Sequence, residues 1–259
     1  MTLIRTTALA IAVLVVPLAH ATSQRTFVST SGVNNANCSI TTPCRDFTTA
    51  LAATNAGGEI IVLDSGGYGS VTIAQSVSII APAGVYAGIS VFSGDGVTVA
   101  AGVAGNVTLR GLTINGQGGN RGIVVTSAAE VHIKRCIVTN MGADGIRIDG
   151  GTRINVRDTL VRDSGLHGLD VAAGTPDVRV IDSQFSNNTG DGILVVAGSL
   201  DAQRVAADQN ENNGLRAQPV SAVNVTVTVS DSAFTGNVKT GAVAIPNFAG
   251  STTRLAIVR

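Results

Sequence analysis

Gly122-Ile123-Val124-Val125 is the first clear copy of a short pattern that organises this chain. The pattern recurs at Gly145-Ile146-Arg147-Ile148, Gly168-Leu169-Asp170-Val171, Gly192-Ile193-Leu194-Val195 and Gly214-Leu215-Arg216-Ala217, and more loosely at Gly241-Ala242-Val243-Ala244. The starting glycines are separated by 23, 23, 24, 22 and 27 residues. A near-constant period of this length is typical of repeat architectures, in which each repeat packs on its neighbours.

Further apolar positions recur upstream of each glycine. They stand 7, 12 and 14 residues before it, as Val138, Ile133 and Val131 do before Gly145, and mostly polar residues separate them. Such alternation predicts short strands with one buried face. A fixed period that places like residues over like residues predicts a parallel β-helix. The alternative, a β-sandwich, does not require five apolar positions to recur at one fixed period.

The composition agrees with an all-β protein. Of 259 residues, 31 are Gly, 13% are charged and 3% are aromatic, which excludes a disordered chain and argues against a helical bundle. Lys plus Arg and Asp plus Glu both number 17, so the formal net charge is zero. These counts indicate no basic stripe for a nucleic-acid backbone, and nucleic acid is not an expected partner.

The first 21 residues have the features of a secretory signal peptide. Arg5 supplies a positive charge, Ala8 to Leu18 is an apolar run, and Ala19-His20-Ala21 places small residues at a cleavage site. The run is short for a membrane span, which needs about 20 apolar residues, so an uncleaved anchor is the weaker alternative. We expect a mature chain of residues 22–259, without a membrane span, in the periplasm or the medium.

Cysteine usage fits export. Cys38 and Cys44 stand six residues apart around a turn, and in an oxidising compartment they would close a small disulfide loop. Cys136 falls in a column of small residues and is predicted to be a buried structural thiol.

The two ends of the stack are expected to differ. Thr42 is predicted to cap a short helix with Pro43 in its first turn, so that residues 22–58 form an N-terminal cap and residues 59–259 form the coils. The apolar C-terminal stretch 255–258 shows no lid. Either the last strand folds over the stack, or this end meets a partner or a second copy.

These residues resemble the pectin-lyase-like superfamily of right-handed parallel β-helix proteins, and small secreted bacterial members in particular. The resemblance rests on the stretch Thr42-Pro43-Cys44 through Gly57-Gly58-Glu59-Ile60-Ile61-Val62 and on the repeated Gly-Ile/Leu-x-Val/Ile units. It implies a right-handed, single-stranded β-helix. It does not imply one activity, because that fold serves several chemistries. Leu166-His167-Gly168 matches only part of one polygalacturonase-like motif, and no catalytic role is carried over.

The repeat register brings several polar residues together. The residues that stand one before or two after the glycines include the candidate catalytic set Asp144, Arg147, His167, Asp170 and Asp191. We expect them to form one outward patch, since equivalent residues on adjacent coils lie about 4.8 Å apart. A carboxylate, an imidazole and a guanidinium within reach of one another could perform acid–base chemistry on a sugar. The ordinary alternative, which we favour, is an exposed charge ladder.

A second column suggests a metal site. Asp158 and Asp182 are adjacent like charges in the column ten before the glycine, bracketed by Arg135 and Arg204. Ca²⁺ prefers six to eight oxygen ligands, so two carboxylates already balanced by Arg favour no metal. No other cofactor is predicted.

The sequence leaves two candidate functions open. The first is an exported β-helical scaffold that binds polysaccharide or a cell-envelope surface without catalysis. The alternative is a polysaccharide lyase, epimerase or hydrolase acting on an acidic glycan through the patch around His167.

Export predicts a defined N-terminus. If cleavage follows Ala21, protein recovered from the periplasm or the medium begins Thr22-Ser23-Gln24. N-terminal sequencing or intact mass measurement checks this, and recovery of a chain that still starts at Met1 would contradict it.

Overall fold

The computed structural model describes residues 23–246 and 248–258. The predicted signal segment 1–21 therefore lies outside the described residues. The described chain contains the helix α1 (Phe47–Ala53) and many short strands.

The strands are short and are numbered in chain order. Those up to residue 116 are β1 (Ser23–Val28), β2 (Thr54–Val62), β3 (Gly66–Gly67), β4 (Val71–Ile73), β5 (Val77–Ile80), β6 (Ala87–Val91), β7 (Val97–Ala100), β8 (Asn106–Arg110) and β9 (Leu112–Gly116). Those between residues 123 and 186 are β10 (Ile123–Ser127), β11 (Glu130–Lys134), β12 (Ile137–Thr139), β13 (Ile146–Ile148), β14 (Arg153–Arg157), β15 (Leu160–Arg162), β16 (Leu169–Val171), β17 (Asp177–Ile181) and β18 (Gln184–Ser186). The remainder are β19 (Ile193–Val195), β20 (Gly198–Gln203), β21 (Ala206–Asp208), β22 (Leu215–Ala217), β23 (Val225–Ser230), β24 (Ala242–Ala244) and β25 (Thr253–Val258).

The strands form three parallel sheets that enclose one core. Sheet A runs β1-β2-β5-β8-β11-β14-β17-β20-β23-β25, sheet B runs β3-β6-β9-β12-β15-β18-β21, and sheet C runs β4-β7-β10-β13-β16-β19-β22-β24. From β2 to β22 the chain contributes a strand to sheets A, B and C in turn, and an isolated bridge at Ala233 takes the place of the next sheet B strand. The chain is a right-handed parallel β-helix. This confirms the predicted fold class.

The predicted columns are the core. Ile123 pairs with Ile146, Ile146 with Leu169, and Leu169 with Ile193, one position per coil. Their side chains are fully buried, and the columns through Val131 and Val138 are buried as far as Val227 and Ala207. Burying a side chain of this size contributes about 1.5–3 kcal/mol, so the repeated columns supply most of the hydrophobic stabilisation.

A single residue in a left-handed conformation joins sheet A to sheet B in most coils. The residues at this corner have φ between 50° and 52° and are Arg135, Asp158, Asp182, Arg204 and Asp231. This is the column in which Asp158 and Asp182 suggested a metal site. Asp tolerates this conformation better than most residues because its short polar side chain hydrogen-bonds locally.

A buried ladder of asparagines fills the turn between sheets B and C. Asn188 donates from Nδ2 to Oδ1 of Asn210 at 2.9 Å, and Asn210 donates in the same way to Asn237 at 2.9 Å. The buried thiol predicted for Cys136 is confirmed: the side chain is unbonded and 1% exposed, and this burial raises its pKa to about 11.

The N-terminal end is closed by a loop and by α1, whose buried face carries Phe47 and Ala50. The predicted disulfide between Cys38 and Cys44 is confirmed. The prediction that Thr42 caps the helix is wrong: the cap is Asp46, whose carboxylate accepts from the backbone N–H of Thr49 at 2.8 Å.

The later helix start has a long-range cause. The Cys44 N–H donates to the carbonyl of Phe27 at 2.9 Å, and the Cys44 carbonyl accepts from Ser29 at 2.9 Å. These bonds hold residue 44 in an extended bridge to β1, so a helical turn cannot form there. The first coil also begins earlier than residue 59, because β2 starts at Thr54.

The left-handed corner can be tested at Asp158. Its carboxylate is half exposed, and its φ is 50°. We expect Asp158→Gly and Asp158→Asn to stay within about 1 kcal/mol of the parent, whereas Asp158→Val loses about 1–2 kcal/mol because a β-branched residue is strained there. Urea unfolding measures the difference. Equal losses for the Gly and Val variants would contradict this role.

Candidate functional site

The five predicted catalytic residues do lie together, on the sheet C side of the stack. Asp144, His167 and Asp191 end the turns that lead into β13, β16 and β19, and each directly precedes a starting glycine. Arg147 and Asp170 are the central residues of β13 and β16, and they are register partners.

Arg147 is the centre of the charged part of this cluster. One of its terminal nitrogens, Nη1, lies 2.6 Å from Oδ2 of Asp170 and 3.4 Å from Oδ2 of Asp144, and its Nε lies 2.8 Å from Oδ1 of Asp149. Arg121 adds a contact of 3.4 Å to Asp144. One guanidinium thus serves three carboxylates, two of which are buried.

The column before the glycines forms a second side-chain ladder, which we call the acceptor ladder: Asp95, Asp144, His167, Asp191 and Asn213. Each acceptor takes a backbone N–H from the equivalent or neighbouring residue one coil later. The Asp144 carboxylate accepts from the N–H of His167 at 3.3 Å, and Nδ1 of His167 accepts from the N–H of Asp191 at 2.9 Å. The carboxylate of Asp191 accepts from the N–H of Asn213 at 3.0 Å. These bonds tie coil to coil.

The prediction that this patch faces outward is wrong for its carboxylates. Asp144 is 1% exposed, Asp170 is 5% exposed and Asp191 is fully buried. For Asp144 and Asp191 the reason is the ladder itself, because a carboxylate that accepts a turn N–H must lie against the backbone. Asp170 is outside the ladder and lies against the Arg147 guanidinium at 2.6 Å. Arg216 neutralises Asp191 at 2.6 Å from the solvent side.

The ionisation of the cluster follows from its burial. Burial, reinforced by the charge of Asp144, raises the pKa of Asp170 to about 6. Its Oδ1 is buried without a hydrogen-bond partner among the described residues. Burial also lowers the pKa of His167, against the opposing effect of Asp191. A neutral imidazole suits the ladder, since Nδ1 must keep its lone pair to accept the Asp191 N–H.

The arrangement therefore indicates a structural role more strongly than a catalytic one. A general acid or base must come within hydrogen-bond reach of its substrate. The carboxylates here already meet Arg side chains or backbone N–H groups, and they are shielded from solvent. Burying such groups is compatible with stability because each charge is paired and hydrogen-bonded.

The two residues predicted as metal ligands are also engaged by arginines. Arg204 holds the Asp182 carboxylate with two bonds of 2.5 and 3.0 Å, which lowers its pKa, and Arg157 lies 3.6 Å away. Asp158 lies 3.5 Å from Arg157. Within residues 23–246 and 248–258, no group of three or more His, Cys, Asp or Glu side chains is arranged to hold a metal ion.

A groove on the outer face of sheet A, of about 540 Å³, is a stronger candidate for binding. We call it the sheet A groove. It crosses β5, β8, β11, β14 and β17, and its polar lining comprises Thr108, Arg110, His132, Lys134, Arg135, Asn155, Arg157, Asp158 and Arg179. Five of these side chains are cationic and one is anionic, which gives a net charge of +4 with His132 neutral.

The groove lining is cationic, although the whole chain has no formal net charge. Lys134 pairs in register with Arg110 on one side and with Arg157 on the other, so three cations lie on three successive coils. Among the described residues, Arg110, Lys134 and Arg135 take part in no ion pair. The prediction that the chain has no basic stripe is therefore wrong. The sequence did contain a signal for this basic row. Lys134 and Arg157 both stand eleven residues before a starting glycine.

The comparisons with known proteins agree with this fold. The sequence matches the family described as right handed beta helix region over residues 54–215 and, in an overlapping match, residues 95–254. The chain therefore belongs to the right-handed β-helix family. No curated protein sequence is significantly similar to it.

Two solved structures share the architecture. Pectate lyase Pel9A superposes with a TM-score of 0.62 at 16% identity, over 89% of this chain and 78% of that chain. The enzymatically active domain of tailspike protein 2 from Bacteriophage CBA120 superposes with a TM-score of 0.53 at 12% identity, over 90% of this chain and 46% of that chain. At sequence identities of 16% and 12%, these similarities show a shared fold and nothing further. Also, no described helix is long and apolar enough to cross a membrane.

The ionisation of Asp170 predicts a pH effect on stability. Its pKa is about 6 in the folded protein against 3.8 as the ordinary value, so the folded state binds a proton between these values that the unfolded chain does not. The contribution of Asp170 to stability therefore rises as the pH falls from about 7 to about 4. We expect the advantage of the parent over Asp170→Asn to grow by about 1–3 kcal/mol over that range.

Urea unfolding at several pH values measures this effect. Asp149→Asn also removes a contact with Arg147 and is the matched control. A difference between the parent and Asp170→Asn that does not change with pH would contradict the assignment.

Proposed function

We propose that this protein is an exported, non-catalytic scaffold that binds an acidic polysaccharide in the sheet A groove. The observation that carries the proposal is the row Arg110, Lys134 and Arg157 on adjacent coils. Like charges at facing positions of neighbouring strands are destabilising, and nothing among the described residues neutralises the first two. An anionic ligand would relieve that repulsion.

The spacing of the row suits a linear polymer. Neighbouring strands lie about 4.8 Å apart, so the cations follow one another along the stack axis at about that interval. A polysaccharide with one carboxylate on each sugar unit offers negative charges at a comparable interval. Thr108 and Asn155 add hydrogen-bonding groups for hydroxyls.

The lining favours a polysaccharide over a nucleic acid. Proteins that bind single-stranded nucleic acid combine positive charge with aromatic side chains on which the bases stack. The lining of the sheet A groove is mostly Arg, Lys and other polar side chains, with Ile80, Val156 and Ile181 as its apolar members and no Phe, Tyr or Trp.

The proposal excludes catalysis because the predicted catalytic residues are already engaged in contacts with each other and with the backbone. Asp144, His167 and Asp191 belong to the acceptor ladder, and Arg147 and Asp170 neutralise each other. A lyase or hydrolase acting through them would have to break the bonds that join the coils. The alternative of an acidic-glycan enzyme at this cluster is therefore the weaker hypothesis.

Export is part of the proposal. The disulfide between Cys38 and Cys44 suits an oxidising compartment, which agrees with the predicted signal peptide. Periplasm and medium both meet this condition, and both contain polysaccharide for the groove to bind.

Calorimetric titration with polygalacturonate tests the binding. We expect saturable binding that weakens as the salt concentration rises, and none to neutral dextran. Replacing Lys134→Gln together with Arg135→Gln should weaken binding at least about tenfold, because each lost charge-assisted hydrogen bond contributes about 1.5 kcal/mol or more.

The matched control is Arg153→Gln. Arg153 lies on β14 in the same sheet, but it pairs with Glu130 at 3.6 Å and does not line the groove. An equal loss for this control, or equal binding of dextran, would overturn the site. Release of unsaturated uronate or of new reducing ends from the polymer would overturn the non-catalytic assignment.

A further inference from the structure

The cations that line the sheet A groove differ in how many carboxylates they already meet. In the row Arg110, Lys134 and Arg157, the first two take part in no ion pair among the described residues. Arg157 meets two carboxylates: its Nε lies 3.5 Å from Oδ2 of Asp158, and its Nη2 lies 3.6 Å from Oδ2 of Asp182. How far Arg157 is free to bind an anionic ligand therefore depends on these two neighbours.

Asp182 is also held by a second guanidinium, that of Arg204. Asp182 and Arg204 occupy the left-handed corner position on successive coils, and Arg157 lies on the coil before Asp182. Nε of Arg204 lies 2.5 Å from Oδ1 of Asp182, and its Nη2 lies 3.0 Å from Oδ2. One carboxylate thus lies between two guanidinium groups, and Arg204 holds it by the shorter bonds and through both oxygens.

Arg204 itself is outside the sheet A groove. It lines a separate depression beyond the corner, together with Leu160 and Ala206 of sheet B. A ligand that fills the sheet A groove contacts Arg157 and not Arg204, because only the former lines it. Any influence of Arg204 on such a ligand must act through Asp182 or through its charge alone.

The two arginines compete for the same carboxylate. A guanidinium that binds both oxygens of a carboxylate makes the stronger kind of ion pair, whereas 3.6 Å is beyond hydrogen-bond distance. While Arg204 holds Asp182, Arg157 has little share in it. If Arg204 were lost, Arg157 would be the only described cation in ion-pair contact with Asp182. The carboxylate would then close on Arg157 and place an unbalanced negative charge beside the groove.

The other carboxylates near this corner do not have the same effect. Asp158 makes one contact with Arg157, at 3.5 Å, and both side chains are about half exposed, so solvent weakens the pair. Asp231 lies one coil beyond Arg204 and acts on it through its charge, but these two described side chains make no ion pair. Asp182 is thus the carboxylate whose engagement decides the availability of Arg157.

We infer that Arg204 is a positioning residue of the sheet A groove: by holding Asp182, it keeps the guanidinium of Arg157 free for an anionic ligand. The inference rests on the proposed function of the groove. It adds a residue that the ligand does not touch to the set that determines affinity. It also explains how the row of three cations stays available although an acidic residue lies beside its last member.

A double-mutant cycle tests this role by calorimetric titration with polygalacturonate. We expect Arg204→Gln to weaken binding about two- to fivefold, which is the effect of one exposed ion pair. In the Asp182→Asn background the same substitution should change nothing, because no carboxylate remains at position 182 to compete for Arg157. An equal loss in both backgrounds would show that Arg204 acts only through its charge, and would overturn the inference.

The matched control is Arg25→Gln. Arg25 forms an exposed ion pair with Glu59 at 2.8 Å on β1 and β2 of the same sheet, and neither residue lines the groove. The substitution removes the same charge, so binding should stay at the parent level, and a loss as large as that of Arg204→Gln would contradict the assignment. Arg204→Lys, which keeps the charge beside Asp182, should retain most of the affinity. Thermal unfolding by circular dichroism checks that each variant folds.

Nitrogen NMR of the Arg157 guanidinium gives a measurement without polymer. Its signals are identified by their absence from Arg157→Lys. In Arg204→Gln we expect slower rotation of this guanidinium, because Asp182 then binds it, and a return to the parent rate when Asp182→Asn is added. An unchanged rate in Arg204→Gln would overturn the inference. A parent protein that does not bind polygalacturonate would instead overturn the proposed function, and the rotation rate would still show whether Arg204 controls Arg157.

Discussion

The structure depends on the register between successive coils. Each strand pairs in parallel with the strand one coil before and one coil after it, so a residue is held directly over its counterpart in the next repeat. This constraint aligns the apolar columns of the core. It also aligns polar side chains, and it turns the asparagines and the acceptor ladder into bonds that run along the stack. Function must therefore be sought in columns and not in isolated residues.

The same constraint explains why the fold was predictable from the sequence. Ile123, Ile146 and Leu169 repeat at one period, and only stacked coils bring such residues into contact. The helix start was not predictable in this way. A capping pattern at Thr42 is a local signal, whereas the bridge between Cys44 and β1 depends on contacts that the local sequence does not show.

The candidate site was only partly predictable for a related reason. The period placed Arg147 beside Asp170 correctly, since both are strand residues whose neighbours follow from the register. It could not show whether Asp144 points outward, because a turn residue can direct its carboxylate to solvent or to a backbone N–H. The sheet A groove was visible in principle in the column through Lys134 and Arg157. Its significance depends on which strands form the outer face of sheet A.

The uneven distribution of charge has a consequence for how the molecule approaches a surface. The side chains that line the groove carry a net charge of +4, and Asp182 and Asp201 beside the groove pair with its Arg157 and Arg179. The opposite cluster contains five carboxylates and three guanidinium groups, a net charge of −2: Asp95, Asp144, Asp149, Asp170 and Asp191 against Arg121, Arg147 and Arg216. A chain with no formal net charge therefore presents a cationic patch on sheet A and an anionic patch on sheet C. A negatively charged surface attracts the first patch and repels the second, which favours an approach with the groove toward that surface.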